Sequence, residues 1–137
     1  MTIDSVTLST VTVVSIALLG ILLFLLGANV TRNRALRGGG NQQPTDPADR
    51  LLIAVRAHGN AAEYIPTMIV LLLVCSALSD SRLIDVLAVA AVVVRFTHAI
   101  GMLRSATLAS HGPLRDVGAL GTYLVGIALG VTAIVTI

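Results

Sequence analysis

The sequence predicts an all-α integral membrane protein, a single domain built as a bundle of four transmembrane helices. Three observations carry that expectation. Hydrophobic residues fill 55% of the 137 positions and charged residues only 12%, and mean hydropathy is +0.92. Ordinary soluble domains carry about 25% charged residues, so this chain lacks the polar shell that water would demand. The apolar residues fall into four long runs, and the segments between them hold most of the chain breakers and most of the charge. Such a composition excludes a disordered chain or a nucleic-acid-binding domain and makes lipid the principal solvent.

Span one is placed at residues 5–31, where 27 uncharged residues separate Asp4 from Arg32. Roughly 20 suffice to cross about 30 Å of hydrocarbon. The run is too long for the h-region of a secretory signal and no Lys or Arg precedes it, so it is expected to be retained. A breaker-rich loop follows, Arg37-Gly38-Gly39-Gly40-Asn41-Gln42-Gln43-Pro44, and then Asp46, expected to cap a helix that Pro47 opens. Span two, residues 47–79, would be about 50 Å long at ~1.5 Å per residue, so its first turns are expected to protrude from the hydrocarbon. Pro66 is a candidate kink within it. Span three covers residues 83–103 with Arg95 in its middle, and span four covers 117–137 without a charge. Gly126 and Gly130 form a GxxxG pattern of the kind that permits close helix approach.

All nine basic residues are Arg. Arg32, Arg34, Arg37, Arg50, Arg104 and Arg115 flank loops one and three, whereas loop two contributes Arg82 alone. The positive-inside bias therefore places loops one and three in the cytoplasm and both termini outside. Arg56 and Arg95 are left in or near membrane-embedded helix.

An ionised side chain at the bilayer centre costs about 3 kcal/mol on insertion scales, so intramembrane charge faces the bundle interior and finds partners. Arg56, Asn60 and Glu63 stand at i, i+4 and i+7 on span two, within about 40° of one another on one face. Arg95, His98 and Met102 repeat that spacing on span three. Two readings follow. One is a structural clasp in which Arg95 pairs with Glu63 while Asn60 and His98 complete the hydrogen bonds. The other starts from the excess of Arg56, Arg95, Arg104 and Arg115 over Glu63 and Asp116, which suits an anionic ligand carrying one cationic group. His58 is expected to face away from Arg56. The scattered His58, His98 and His111 give no metal-ligand cluster, and the single Cys75 is read as packing.

The run Arg56-Ala57-His58-Gly59-Asn60-Ala61-Ala62-Glu63-Tyr64-Ile65-Pro66 resembles the signature of the MAPEG family, membrane-associated proteins of eicosanoid and glutathione metabolism. The pattern R-x-x-x-N-x-x-E-x-x-P lies on the second of four spans, and the surrounding loop composition is similar to the family's bacterial branch. A second family segment matches Arg95-Phe96-Thr97-His98-Ala99-Ile100-Gly101, and Arg115 fits a further position at the start of span four, with Arg104 as its competitor. The resemblance implies a homotrimer, in a bacterial inner membrane, with glutathione as co-substrate bound between subunits, and the arginine bias turns that site toward the cytoplasm. It implies glutathione-binding roles for Arg56, Asn60, Glu63, Tyr64, Arg95 and His98, and thiolate activation by Arg115 or Arg104. The implied activity is a glutathione transferase or peroxidase acting on lipophilic electrophiles. The alternative is a non-catalytic relative that binds another anionic thiol or serves a larger membrane complex. Two departures bear on catalysis: Met102 stands where many family enzymes carry a Tyr, and Asp116 replaces a hydroxyl residue.

Overall fold

Two of the helices in this chain start at a side chain that satisfies backbone N–H groups the first turn leaves open. The computed structural model describes residues 8–137 and contains four helices: α1 (Thr10–Ala35), α2 (Arg50–Leu78), α3 (Arg82–Arg104) and α4 (Pro113–Val135). All four are long and apolar enough to cross a membrane. The expected start of span one at residue 5 lies outside the described residues. Ser9 caps α1, its Oγ accepting from Thr12 N at 3.0 Å and donating to Asp85 of α3.

The start of α2 corrects the sequence reading. Asp46 and Pro47 do not open the helix; they form a turn in which Asp46 Oδ1 accepts from Ala48 N at 2.9 Å. The cap is Asp49, whose Oδ1 accepts from Leu51 N at 2.7 Å and Leu52 N at 3.3 Å. Asp-Pro suits the opening of a turn as well as that of a helix, and the second Asp, three residues on, decides between them. α4 starts earlier than its apolar run, at Pro113, because proline is preorganised for the first helical position.

Buried positions on α1 are Thr12, Ser15, Leu19, Leu22, Leu26 and Val30, a single stripe, while Phe24, Leu25 and Ile21 face outward. The other helices also bury one side, and all four expose large apolar side chains on the other. In lipid that pattern leaves close packing and interhelical hydrogen bonds to hold helices together. Small residues accordingly mark the contacts: Ala57 and Ala61 on α2, and Ala88, Ala91 and Ala99 on α3, are all buried. α2 and α3 occupy the middle of the bundle, and α1 and α4 do not touch each other.

The closest approach is between α3 and α4. A Cβ built on Gly118 would collide with the His98 backbone and come within 2.6 Å of the His98 Cβ, and one built on Gly101 would come within 2.8 Å of the Arg115 Cα. Gly126 and Gly130 play no such part, since nothing lies within 4 Å of an added Cβ at either. Within the subunit the GxxxG pattern is therefore an open face.

Candidate functional site

Of Asn60, Glu63, Arg95 and His98, the four residues of the expected clasp, the structure joins Arg95 to Asn60 and leaves Glu63 out, so the wiring differs from the clasp. Arg95 is 1% exposed. Its Nη2–H donates to Asn60 Oδ1 at 2.8 Å, its Nη1–H donates to Thr122 Oγ1 at 3.1 Å, and its Cζ stands 5.5 Å from the centroid of the Tyr64 ring. Thr122 spends its own hydrogen on Gly118 O at 2.7 Å, which leaves its oxygen lone pairs to accept from Arg95. Tyr64 meets Tyr123 edge to face, centroids 5.8 Å apart at 61°. One guanidinium thus links α2, α3 and α4 through charge-assisted hydrogen bonds and a ring face. Its Nε is buried with no hydrogen-bond partner among the described residues.

Glu63 is not paired with Arg95. Among the described residues the salt bridges are Arg37–Asp49 and His111–Asp116, and Glu63 is exposed. The reason is helical phase: Glu63 precedes Tyr64 by one residue, about 100° round α2, which turns it out of the α3 interface. Arg56 shares its outward direction and is also exposed. Asn60 sits between the two zones, half-buried, with its carbonyl toward Arg95. The flank of α2 therefore presents a cation, an amide and an anion in register, with Arg95 buried behind them.

His98 is 5% exposed, and its Nδ1 lies 2.9 Å from Arg115 O. A carbonyl oxygen only accepts, so Nδ1 carries the hydrogen and donates. Arg115 in turn donates from Nη1 to Leu108 O at 3.4 Å. Leu108 N donates to Pro47 O at 2.9 Å, which ties loop three to loop one. Arg50 adds longer contacts to Leu103 O and Ser105 O at 3.5 and 3.4 Å. Arg104 is exposed, and with Arg115, Gly101, Ser105, His111 and Leu114 it lines a pocket of about 220 Å³ at this end of the bundle. Asp116 is exposed and lies 3.4 Å from His111. Met102 is 7% exposed and packs in the apolar core, so it presents nothing to this pocket.

The opposite flank of α2 carries a feature the sequence reading treated only as flanking charge. Arg34, Thr31, Gly27 and Val30 of α1 and His58 and Val55 of α2 line a cleft of about 490 Å³. Arg34 Nε is buried there with no hydrogen-bond partner among the described residues. His58 faces away from Arg56, as expected, and lies against α1, its Nε2 3.3 Å from a Cβ built on Gly27. Thr122 and Tyr123 were also missed. The signals they gave were one hydroxyl among several and a lone ring in an apolar run, and neither points to a partner without the tertiary contact. Cys75 is fully buried, with Sγ 3.5 Å from Leu129 O, and serves packing.

A comparison with curated proteins gave no match. Among protein families, the model described as the MAPEG family matches residues 12–135, nearly the whole of the described bundle.

Proposed function

The chain belongs to the MAPEG family, and from that premise we propose that it is a membrane glutathione transferase or peroxidase-like enzyme acting on lipophilic electrophiles. The observation that carries the proposal is the flank of α2 on which Arg56, Asn60 and Glu63 face outward, with neither Arg56 nor Glu63 in a salt bridge among the described residues. Glutathione offers two carboxylates, one ammonium and one thiol. Arg56 and the Asn60 amide donate to acidic or carbonyl oxygens, and Glu63 accepts from the ammonium, the Arg56 and Glu63 contacts being charge-assisted. Glutathione supplies the thiol nucleophile. Arg115, held by His98 and Leu108 at the basic pocket, stabilises the charge that develops on sulfur, with Arg104 beside it.

A homotrimer completes the site in this reading. One flank of α2 carries the outward charges, and the other adjoins the Arg34–His58 cleft, where an arginine nitrogen has no partner among the described residues. Unlike surfaces on two sides of one helix suit a head-to-tail interface, which closes into a ring when the rotation permits. The Arg34 cleft of one subunit then walls the Arg56–Glu63 flank of the next. The site faces the cytoplasm of a bacterial inner membrane, in accord with six Arg around loops one and three against one at loop two.

A second reading, a family member that binds a thiol without activating it, is favoured by one observation: Met102 is buried in the core and contributes no hydroxyl to the basic pocket. Glutathione recognition is tested by calorimetric titration of the detergent-solubilised protein with glutathione, an S-alkyl glutathione and other cellular thiols, alongside native mass spectrometry, and activation by the pKa of the bound thiol. The enzyme reading expects selective binding of glutathione to a trimer. Absence of glutathione binding, or a protein that is monomeric at every concentration, overturns it.

A further inference from the structure

Arg95 is nearly sealed from its surroundings, so a direct contact with a ligand on the outer flank of α2 is not what its position offers. Both of its terminal nitrogens are engaged, one by Asn60 Oδ1 and the other by Thr122 Oγ1. A guanidinium has five hydrogens and no acceptor. The Asn60 amide can therefore meet it through oxygen only, since the reversed amide would set donor against donor. The hydrogen bond at 2.8 Å thus fixes the sense of the amide: carbonyl inward, NH2 outward, level with Arg56 and Glu63. Thr122 and the Tyr64 ring hold the guanidinium from the other sides, so the cation has little freedom to release the amide.

We propose that Arg95 is a positioning residue that locks the Asn60 amide with its NH2 facing the ligand, which makes Asn60 an obligate donor and selects a carboxylate or carbonyl oxygen at that point of the site. The inference rests on the glutathione-binding reading for the identity of the ligand, whereas the lock itself belongs to the ligand-free protein. It divides the polar layer into two ranks. Arg56, Asn60 and Glu63 touch the ligand, and Arg95 acts through Asn60.

Two substitutions at one position test it. Asn60→Asp keeps an inward oxygen on Arg95 and replaces the outward NH2 with an acceptor; Asn60→Ala removes both. The lock requires opposite orders in two measurements. In thermal melts without ligand, Asn60→Asp is the more stable of the two, because its carboxylate faces a guanidinium. In calorimetry with S-alkyl glutathione, Asn60→Asp is the weaker binder, by roughly tenfold or more relative to wild type and below Asn60→Ala. A merely structural asparagine would move both measurements in the same direction. Wild-type binding in Asn60→Asp, or weaker binding in Asn60→Ala than in Asn60→Asp, overturns the donor role. A lower melting point for Asn60→Asp than for Asn60→Ala overturns the lock. Wild-type protein that fails to bind any glutathione derivative removes the enzyme reading, and with it the ligand assigned to the donor, while the melting order still decides the lock.

Discussion

His98 Nδ1 donates to the carbonyl oxygen of Arg115 across 2.9 Å, so α3 grips the first turn of α4 through the residue whose guanidinium lines the basic pocket. The grip is possible because Gly118, one turn further on, lets the two backbones meet where a side chain would collide with His98.

Gly118→Ala therefore forces α4 away from α3. Overpacking of this kind costs about 1–3 kcal/mol, and here it also displaces Arg115. Thermal melts in mild detergent are expected to show a clear loss for Gly118→Ala and little change for Gly126→Ala, whose Cβ meets nothing within 4 Å. Equal melting points for the two variants would mean that the close approach does not exist.

A free thiol has a pKa of about 8.5 and is only slightly ionised at neutral pH. Between the two basic side chains of the pocket, Arg115 is the one tethered at both backbone and guanidinium, whereas Arg104 is exposed. Bound glutathione is expected to titrate about one to two units below its free value, worth roughly 1.4 to 2.7 kcal/mol. Arg115→Ala abolishes that shift and Arg104→Ala leaves most of it. Thiolate absorbance during a pH titration of the complex reads it directly, and an unshifted wild type would favour the binding protein over the enzyme.

Glu63→Gln removes the one anion on the outer flank of α2. Because Glu63 is exposed and makes no salt bridge among the described residues, the variant is expected to fold and melt as wild type does. Glutathione binding falls by the value of a charged hydrogen bond, roughly 1.5 to 3 kcal/mol. Calorimetry with glutathione and with its N-acetyl derivative separates the ammonium contact from the rest: the variant and the derivative are expected to lose the same increment, and losing both together adds little.

Asp49 caps α2 and bridges Arg37 at 2.8 Å. The Arg37 hydrogen bond, above all, holds its carboxyl below the usual carboxylate range, with smaller help from the Leu51 and Leu52 amides. A carboxyl that binds its proton less readily when folded stabilises the folded state fully above the unfolded value of about 3.9, and that contribution fades as pH falls through the lower folded value. Protection of the Leu51 and Leu52 amides, measured as exchange relative to the intrinsic rate at each pH, is therefore expected to fall on acidification below about pH 4. Asparagine caps a helix about as well as aspartate but carries no charge, so Asp49→Asn is expected to flatten the pH dependence. An unchanged acid profile in that variant would assign the dependence elsewhere.

Orientation is open to labelling. A cysteine placed at Gly39, in loop one, in a Cys75→Ser background is expected to resist an impermeant reagent applied to intact cells and to react once the membrane is opened. Modification from the outer face would invert the topology.

Much of the architecture was legible because its cause is local and additive. Four apolar runs declare four helices whatever their neighbours do, and six Arg beside two loops bias their side of the membrane by charge alone. The α2 pattern of Arg56, Asn60 and Glu63 was legible too, since helical phase places residues on a face without reference to the fold. What the phase could not supply was the identity of each partner. Arg95 and Glu63 look like a pair by charge, yet the crossing of α2, α3 and α4 brings Asn60, Tyr64 and Thr122 to the guanidinium first and leaves Glu63 facing out. The N-cap of α2 passed from Asp46 to Asp49 for a similar reason, as the turn at Pro47 is joined to loop three by Leu108. The sequence by itself determined the helices, the solvent they inhabit and the stock of polar groups each face carries, because these follow from composition and from 3.6 residues per turn. Tertiary structure decided which glycines lie under a neighbouring backbone, which arginine is buried and which way an amide turns, because those depend on distances between helices that no spacing within one helix can fix.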